Sequence, residues 1–497
     1  MYDEPEEAAT PVALTGMEET AVAHEALWRM TATDLAAAIG GRHVTAVQVI
    51  TAHLDRIARV NPLVNAVTVV FNDRSLELAE AVDAALAEGR DPGPLAGVPF
   101  TVKENIDLTW SPTTHAARFL AQAVSPTNAT LVQRLLDAGA IPIARGNMPD
   151  FGLRWDTDND LFGRTLNPWQ PDRTPGGSSA GDAVAVATGM TPIGLGNDYG
   201  GSLRLPGFAA GVCALRPTAG RVPAPTTQAA PVSLSLQNFA VNGVLARSVD
   251  DLDTVFSIIH GADDYDPLSV TVAHPSGYEG PKRAALTRDP LGWGVDDAVD
   301  EGLTRAAEAL TAAGWRVTEV EPPLIERAAV LWRSISSTEM RASFAPGALP
   351  MPLSDGSVTY FDNNVAGAEL LDTVDAYADA WAERMLIAAA WRSFQAEYPV
   401  ILGPVTTRRM PEIGYDLDGV EAADELWRRH RLLVTVNFLG LPSVAVPTGL
   451  DDDGVPSGVQ LIASTNNEHI ALAAARAVES GSAAITPVEP VQTASAR

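Results

Sequence analysis

A chain of 497 residues, 46% of them apolar, is long enough to bury a core of several layers and too hydrophobic to stay disordered. Its 34 Lys and Arg against 62 Asp and Glu leave a net charge of −28, which argues against nucleic acid as a main partner, since phosphate binding needs clustered basic side chains. The one cysteine, Cys213, excludes an intramolecular disulfide and a cysteine-based zinc cluster.

Residues 1–25 read as an acidic arm. Met1 to Thr20 carries six acids and no basic residue, the opposite of a secretory leader. No apolar run approaches the roughly 18 residues of a membrane helix. A soluble, cytoplasmic protein with no membrane partner is expected. Over 26–90 the pattern is helical. Val47, Ile50, Leu54 and Ile57 share one face of a helix expected to end near Asn61-Pro62, and a second helix runs from Ser75 to Leu86 toward Gly89. Pro94 to Pro99 is a turn cluster, and Phe100 to Lys103 a short strand. Thr127 to Gly139 reads as helix, Ile141 to Ala144 as strand, 156–179 as loop, Asp182 to Thr188 as a small-residue helix and Pro192 to Asn197 as strand. Leu441 to Thr448 and Val459 to Ala463 are apolar strands joined through Asp453-Gly454, and Glu468 to Val478 is a final helix. Segments 262–284 and 341–375 read as insertions or surface loops. Alternating strands and helices predict an α/β fold, and no composition break marks a second domain.

The stretch from Thr174 to Pro223 holds two glycine–serine clusters, Gly176-Gly177-Ser178-Ser179 and Gly200-Gly201-Ser202. Glycines let the backbone approach a ligand closely, and successive N–H groups can converge on an anion. A serine in such a turn has an exposed hydroxyl and donors aimed at a developing oxyanion, the needs of acyl transfer. Between Asp198 and Asp250 there is no acid, while Arg204, Arg216, Arg221 and Arg247 fall inside the gap. A site for a transient oxyanion keeps carboxylates away; buried strands avoid charge too, and this pattern alone does not separate the two readings. Gly177 to Gly181 also matches G-x-S-x-G, but a nucleophile elbow follows a strand, and the proline-rich stretch before it cannot be a central one. Gly194, Gly196 and Gly200 lack the acidic residue a dinucleotide loop needs. The eight histidines show no metal-ligand spacing, and no metal is expected.

In combination these residues resemble the amidase signature family. Gly176 to Gly181 is similar to its glycine–serine run, Gly196 to Pro206 to its second serine turn, and Ala214 to Arg221 to the segment after it. Gly97 to Asn105, Asn147 to Phe151, Phe162 to Trp169 and Asn437 to Pro442 fit further family segments in the right order. The resemblance covers roughly residues 30–480. It implies a single large α/β domain, with a mixed twisted sheet of about eleven strands covered by helices. Residues 26–90 would pack on a catalytic domain at 91–485, followed by a C-terminal tail at 486–497.

By the same resemblance Ser202 is the nucleophile, Ser178 a bridging serine on a cis peptide, and Lys103 the base. The N–H groups of Tyr199, Gly200, Gly201 and Ser202 form the oxyanion hole, supported by Ser179, Asp198 and Arg204. Lys103 must give up its charge, which burial on a short apolar strand favours. The implied activity is hydrolysis of a carbon–nitrogen bond in a small amide, anilide or carbamate through a serine acyl-enzyme, with no metal or organic cofactor. Met148, Trp155 and Tyr199 are expected to touch the substrate, and Tyr360 and Phe361 are further candidates. The glutaminase-type component of an amidotransferase and a non-catalytic binding protein of the same fold are the alternatives, and a homodimer stays open. Asn197 stands where the family commonly has Thr, Tyr199 where it has a small or aliphatic residue, Ala180 for Gly and Arg216 for Lys; none of these removes a catalytic group.

Overall fold

The computed structural model describes residues 26–224, 232–345 and 347–491, so the acidic arm 1–25 and the end of the tail, 492–497, lie outside the described residues. Eleven short strands form one sheet: β1 (Val67–Val70), β2 (Pro99–Lys103), β3 (Ile141–Gly146), β4 (Ile193–Asp198), β5 (Cys213–Arg216), β6 (Val241–Ala246), β7 (Arg283–Leu286), β8 (Arg316–Glu319), β9 (Val400–Pro404), β10 (Ser443–Leu450) and β11 (Pro456–Ala463). Their order is β1-β3-β2-β4-β6-β5-β10-β11-β9-β7-β8. Parallel trios, β3-β2-β4 and β9-β7-β8, flank an antiparallel middle, so the sheet is mixed. The α/β fold with eleven strands agrees with the sequence expectation.

Helices cover the sheet, which is why β2, β9 and β11 are buried at every residue instead of alternating with solvent. Alternation still sorts the two faces. On β2, Phe100 and Val102 join one core with Ile50 and Ile57. Thr101 and Lys103 turn to the other face, toward the serine-rich turn and the helix Ala180–Ala187. Among the described residues, no helix is long and apolar enough to cross a membrane.

Two local expectations need correction. The helix Ala46–Val64 runs through Pro62 and closes at Asn65, whose left-handed φ of 49° returns its N–H to Asn61 O. The segment 341–375 is not simply loop, because it contains the helix Asp355–Ala366, capped by Ser354 accepting from Ser357 N. Gly356, Val358, Thr359, Asn363 and Asn364 are weak helix formers and hide it. Gly356 leaves room for the Arg154 guanidinium, since a Cβ there would come within 2.7 Å of Nη1. The start of the C-terminal segment is tied to the body, with Val488 N bonded to Ala187 O at 2.8 Å.

Candidate active site

β2 delivers Lys103 to the turn that precedes the helix Ala180–Ala187. Its Nζ donates to Ser178 Oγ at 2.7 Å, Ser179 Oγ at 2.8 Å and Asn197 Oδ1 at 2.7 Å. Lys103 is fully buried and none of these three partners carries charge. Burial therefore pushes its ammonium down to about 7, against the weaker pull of Asp182 and Asp198. Asn197 is held in the accepting orientation because its Nδ2 donates to Asn105 Oδ1 at 2.8 Å. The peptide Gly177–Ser178 is cis.

Asp182 lies behind this group. Its Oδ1 accepts from Thr101 Oγ1 at 2.7 Å, and its Oδ2 has no partner among the described residues. Burial pushes this carboxyl up, opposed by the Thr101 hydrogen bond and the charge of Lys103. Gly146 makes the space, since a Cβ there would lie 2.3 Å from the carboxylate.

The second turn, 199–202, leaves the end of β4 and is braced from behind by Asp198. Asp198 Oδ1 accepts from Gly201 N at 2.9 Å and Oδ2 from Leu203 N at 3.2 Å. Arg204 Nη2 meets Oδ1 at 3.0 Å and Asn437 Nδ2 meets it at 2.7 Å. Burial alone would raise this carboxyl, but Arg204 and Arg216 overcome it and hold Asp198 well below the usual carboxylate range. The first two arginines of the acid-free stretch thus form a buried bracing layer. Arg204 and Arg216 are fully buried, and they face this loop's back. Gly201 N–H is committed to Asp198. Those of Tyr199, Gly200 and Ser202 find no acceptor among the described residues. Gly201 sits at φ 99°, and a Cβ would come within 2.2 Å of Leu433.

Ser178, Ser202, Asn105 and Asn197 open onto one cavity of about 600 Å³. Six aromatic residues line part of it: Phe151, Trp155, Tyr199, Trp332, Tyr360 and Phe361. Tyr199 also anchors its hydroxyl, at 2.9 Å from Ser235 Oγ and 2.6 Å from Ser336 Oγ. Met148 does not join this wall. It is fully buried, with its Cε methyl beneath Gly152, because the 3-10 turn Asp150–Gly152 lies between it and the cavity. Sequence reasoning passed over Asp182, Asn105 and Trp332, and noted Asn197 only as a departure; a polar residue in an otherwise apolar strand was the available signal for Asn197. Among the described residues, no group of three or more His, Cys, Asp or Glu is arranged to hold a metal ion.

A family model described as Amidase matches residues 48–472. An indoleacetamide hydrolase of Bradyrhizobium diazoefficiens is 38% identical, covering 91% of this chain and 86% of that protein. The A-type component of a glutamyl-tRNA(Gln) amidotransferase from Deinococcus radiodurans is 35% identical, covering 90% of this chain and 96% of that protein. Among solved structures, a 6-aminohexanoate cyclic dimer hydrolase complexed with substrate superimposes with a TM-score of 0.79 at 26% identity, covering 92% of this chain and 97% of that one.

Proposed function

The chain belongs to the amidase signature family and is a hydrolase of carbon–nitrogen amide bonds, and from that premise we propose that Ser202 attacks the carbonyl of a small amide whose acyl group carries a flat aromatic ring. Neutral Lys103 takes the proton of Ser178 as Ser178 takes that of Ser202, and Ser202 Oγ bonds to the carbonyl carbon. The oxyanion rests on the N–H groups of Tyr199, Gly200 and Ser202. Collapse breaks the C–N bond, and the departing amine receives the proton back through Ser178. Water then repeats the relay on the acyl-enzyme, releasing the carboxylic acid and restoring Ser202.

The observation that carries this reading is the contact of buried Lys103 Nζ with Ser178 Oγ at 2.7 Å. An ammonium has three donors and no lone pair, so the charged form fills all three contacts and accepts no proton. The neutral amine has one lone pair. Asn197 Oδ1 can only accept, so that lone pair is offered to a serine hydroxyl. The aromatic wall and the 38% identity to an indoleacetamide hydrolase support an aromatic acyl group. Glutamine would need a free cation for its carboxylate. Arg333, in the cavity wall, already has a carboxylate beside it, Asp424 at 2.7 Å.

Treatment with a fluorophosphonate followed by peptide mapping is expected to find the adduct on Ser202. No adduct, or one elsewhere, would overturn the acyl-enzyme and favour a binding protein. Indole-3-acetamide should then be cleaved at least about 100-fold faster than glutamine, a margin that polar mismatch in a pocket readily produces. The reverse order would favour the amidotransferase reading.

Asp182→Asn tests the electrostatics. The carboxylate favours the charged form of Lys103, so removing it lowers the pH at which the amine becomes protonated. The acid limb of kcat/KM should move down by about one half to one pH unit, read from profiles between pH 5 and 9. An unmoved or upward-shifted limb would contradict the coupling.

A further inference from the structure

We propose that Trp332 is a positioning residue for the oxyanion loop: its indole N–H holds the carbonyl of Tyr199 and so aims the Gly200 N–H at the reacting carbonyl, while Trp155, on the carbonyl of Gly200, fixes the next peptide, whose N–H is tied to Asp198. The inference rests on Ser202 being the nucleophile.

Four consecutive carbonyls of the loop are each held by a hydrogen-bond donor. Asp198 O accepts from Arg216 Nη1 at 2.7 Å and Asn437 Nδ2 at 3.1 Å. Tyr199 O accepts from Trp332 Nε1 at 3.2 Å, Gly200 O from Trp155 Nε1 at 2.8 Å, and Gly201 O from Leu205 N at 2.8 Å. In a planar trans peptide the C=O and the following N–H point in opposite directions. Holding these carbonyls therefore fixes the N–H groups that follow them: that of Gly201 on Asp198 behind the loop, and those of Tyr199, Gly200 and Ser202, which find no acceptor among the described residues, toward the reacting carbonyl. The flanking clamps belong to the buried arginine layer and to the helix Arg204–Ala210. The two central clamps are indoles.

Those central peptides are the ones with freedom to turn. Each adjoins Gly200 or Gly201, and glycine allows a peptide plane to rotate at little steric cost. A flip of the 199–200 plane would take the Gly200 N–H away from the substrate, and the Trp332 hydrogen bond opposes it. The ring also lies against the glycine itself, because a Cβ on Gly200 would come within 2.7 Å of Trp332 Cζ2.

The indoles are in turn fixed. Trp155 stacks on Trp332 with centroids 6.2 Å apart and planes at 17°, and His430 meets Trp155 edge-on at 4.5 Å. His430 is neutral, since burial pushes it down to about 3. The backbone of 154–156 abuts the other serine turn, where a Cβ on Gly177 would sit 2.6 Å from Arg154 O. Trp155 thus ties the turn of Ser178 to the turn of Ser202. Both rings also line the cavity, so a flat acyl group packed against them holds the clamps in place.

The test replaces the indole of Trp332 by benzothienylalanine, which keeps ring and stacking and removes only the N–H. For indole-3-acetamide, kcat per fluorophosphonate-reactive site should fall about tenfold, less than the loss of a whole oxyanion donor, with KM within about twofold. Affinity for a trifluoromethyl ketone of the same ring, whose Ser202 adduct carries an oxyanion, should fall by the same factor. Affinity for indole-3-acetate, which forms no adduct, should not change. Unchanged kcat with raised KM, or a lower melting temperature with unchanged ketone affinity, would reduce the Trp332 ring to wall and packing and overturn the inference. Absence of any adduct on the unsubstituted protein would overturn the nucleophile assignment and this inference with it, which is a different result.

Discussion

Lys103→Met is expected to lower kcat/KM for an aromatic amide by about 10⁴-fold, the upper range for loss of a general base. Methionine fills the volume and cannot take a proton from Ser178. The unsubstituted protein should lose activity about tenfold per pH unit below about 7, where the buried amine becomes charged. The sign for stability follows from the same burial. The folded-state value lies below that of the unfolded chain, so between the two the unfolded state binds more protons and stability rises with pH. The stability difference should therefore move in favour of the methionine variant as pH falls from about 10 toward 7, and level off below. Parallel pH–rate profiles and thermal melts check both arms. Near-normal neutral-pH activity in the variant would remove Lys103 from the relay.

Ser202→Ala should cost about 10⁵-fold in kcat/KM and abolish the fluorophosphonate adduct, as expected when a covalent nucleophile is lost. Folding should be spared, because the contact this residue makes to the first serine turn is through its carbonyl, which accepts from Ser179 N at 3.2 Å. The Lys103→Met/Ser202→Ala pair should be no slower than Ser202→Ala alone, since both residues serve one proton path. Residual hydrolysis above about one part in a hundred would mean that another group attacks the carbonyl.

The parts of the site that could be read from residue order are those set by short-range rules. Glycines flanking Ser178 and Ser202 marked tight turns, and the alternation of Phe100, Thr101, Val102 and Lys103 marked a buried strand with a lysine at its end. The parts that escaped are through-space contacts. Asn437 reaches Asp198 across 239 positions, and Trp332 reaches Tyr199 across 133. No local pattern encodes such pairs. Met148 misled because an apolar residue beside a loop reads the same whether it faces a cavity or lies under its floor. The acid-poor stretch after Asp198 left two readings open because its arginines go to different places: Arg204 and Arg216 to the back of the loop, Arg221 to Glu468 and Arg247 to backbone carbonyls.

The helix Asp355–Ala366 brings Tyr360 and Phe361 to the cavity from a stretch of chain well after Ser202. Because this helix and the contact of Lys103 Nζ with Ser178 Oγ belong to separate stretches of chain, that part of the wall can be recut by substitution without touching the lysine.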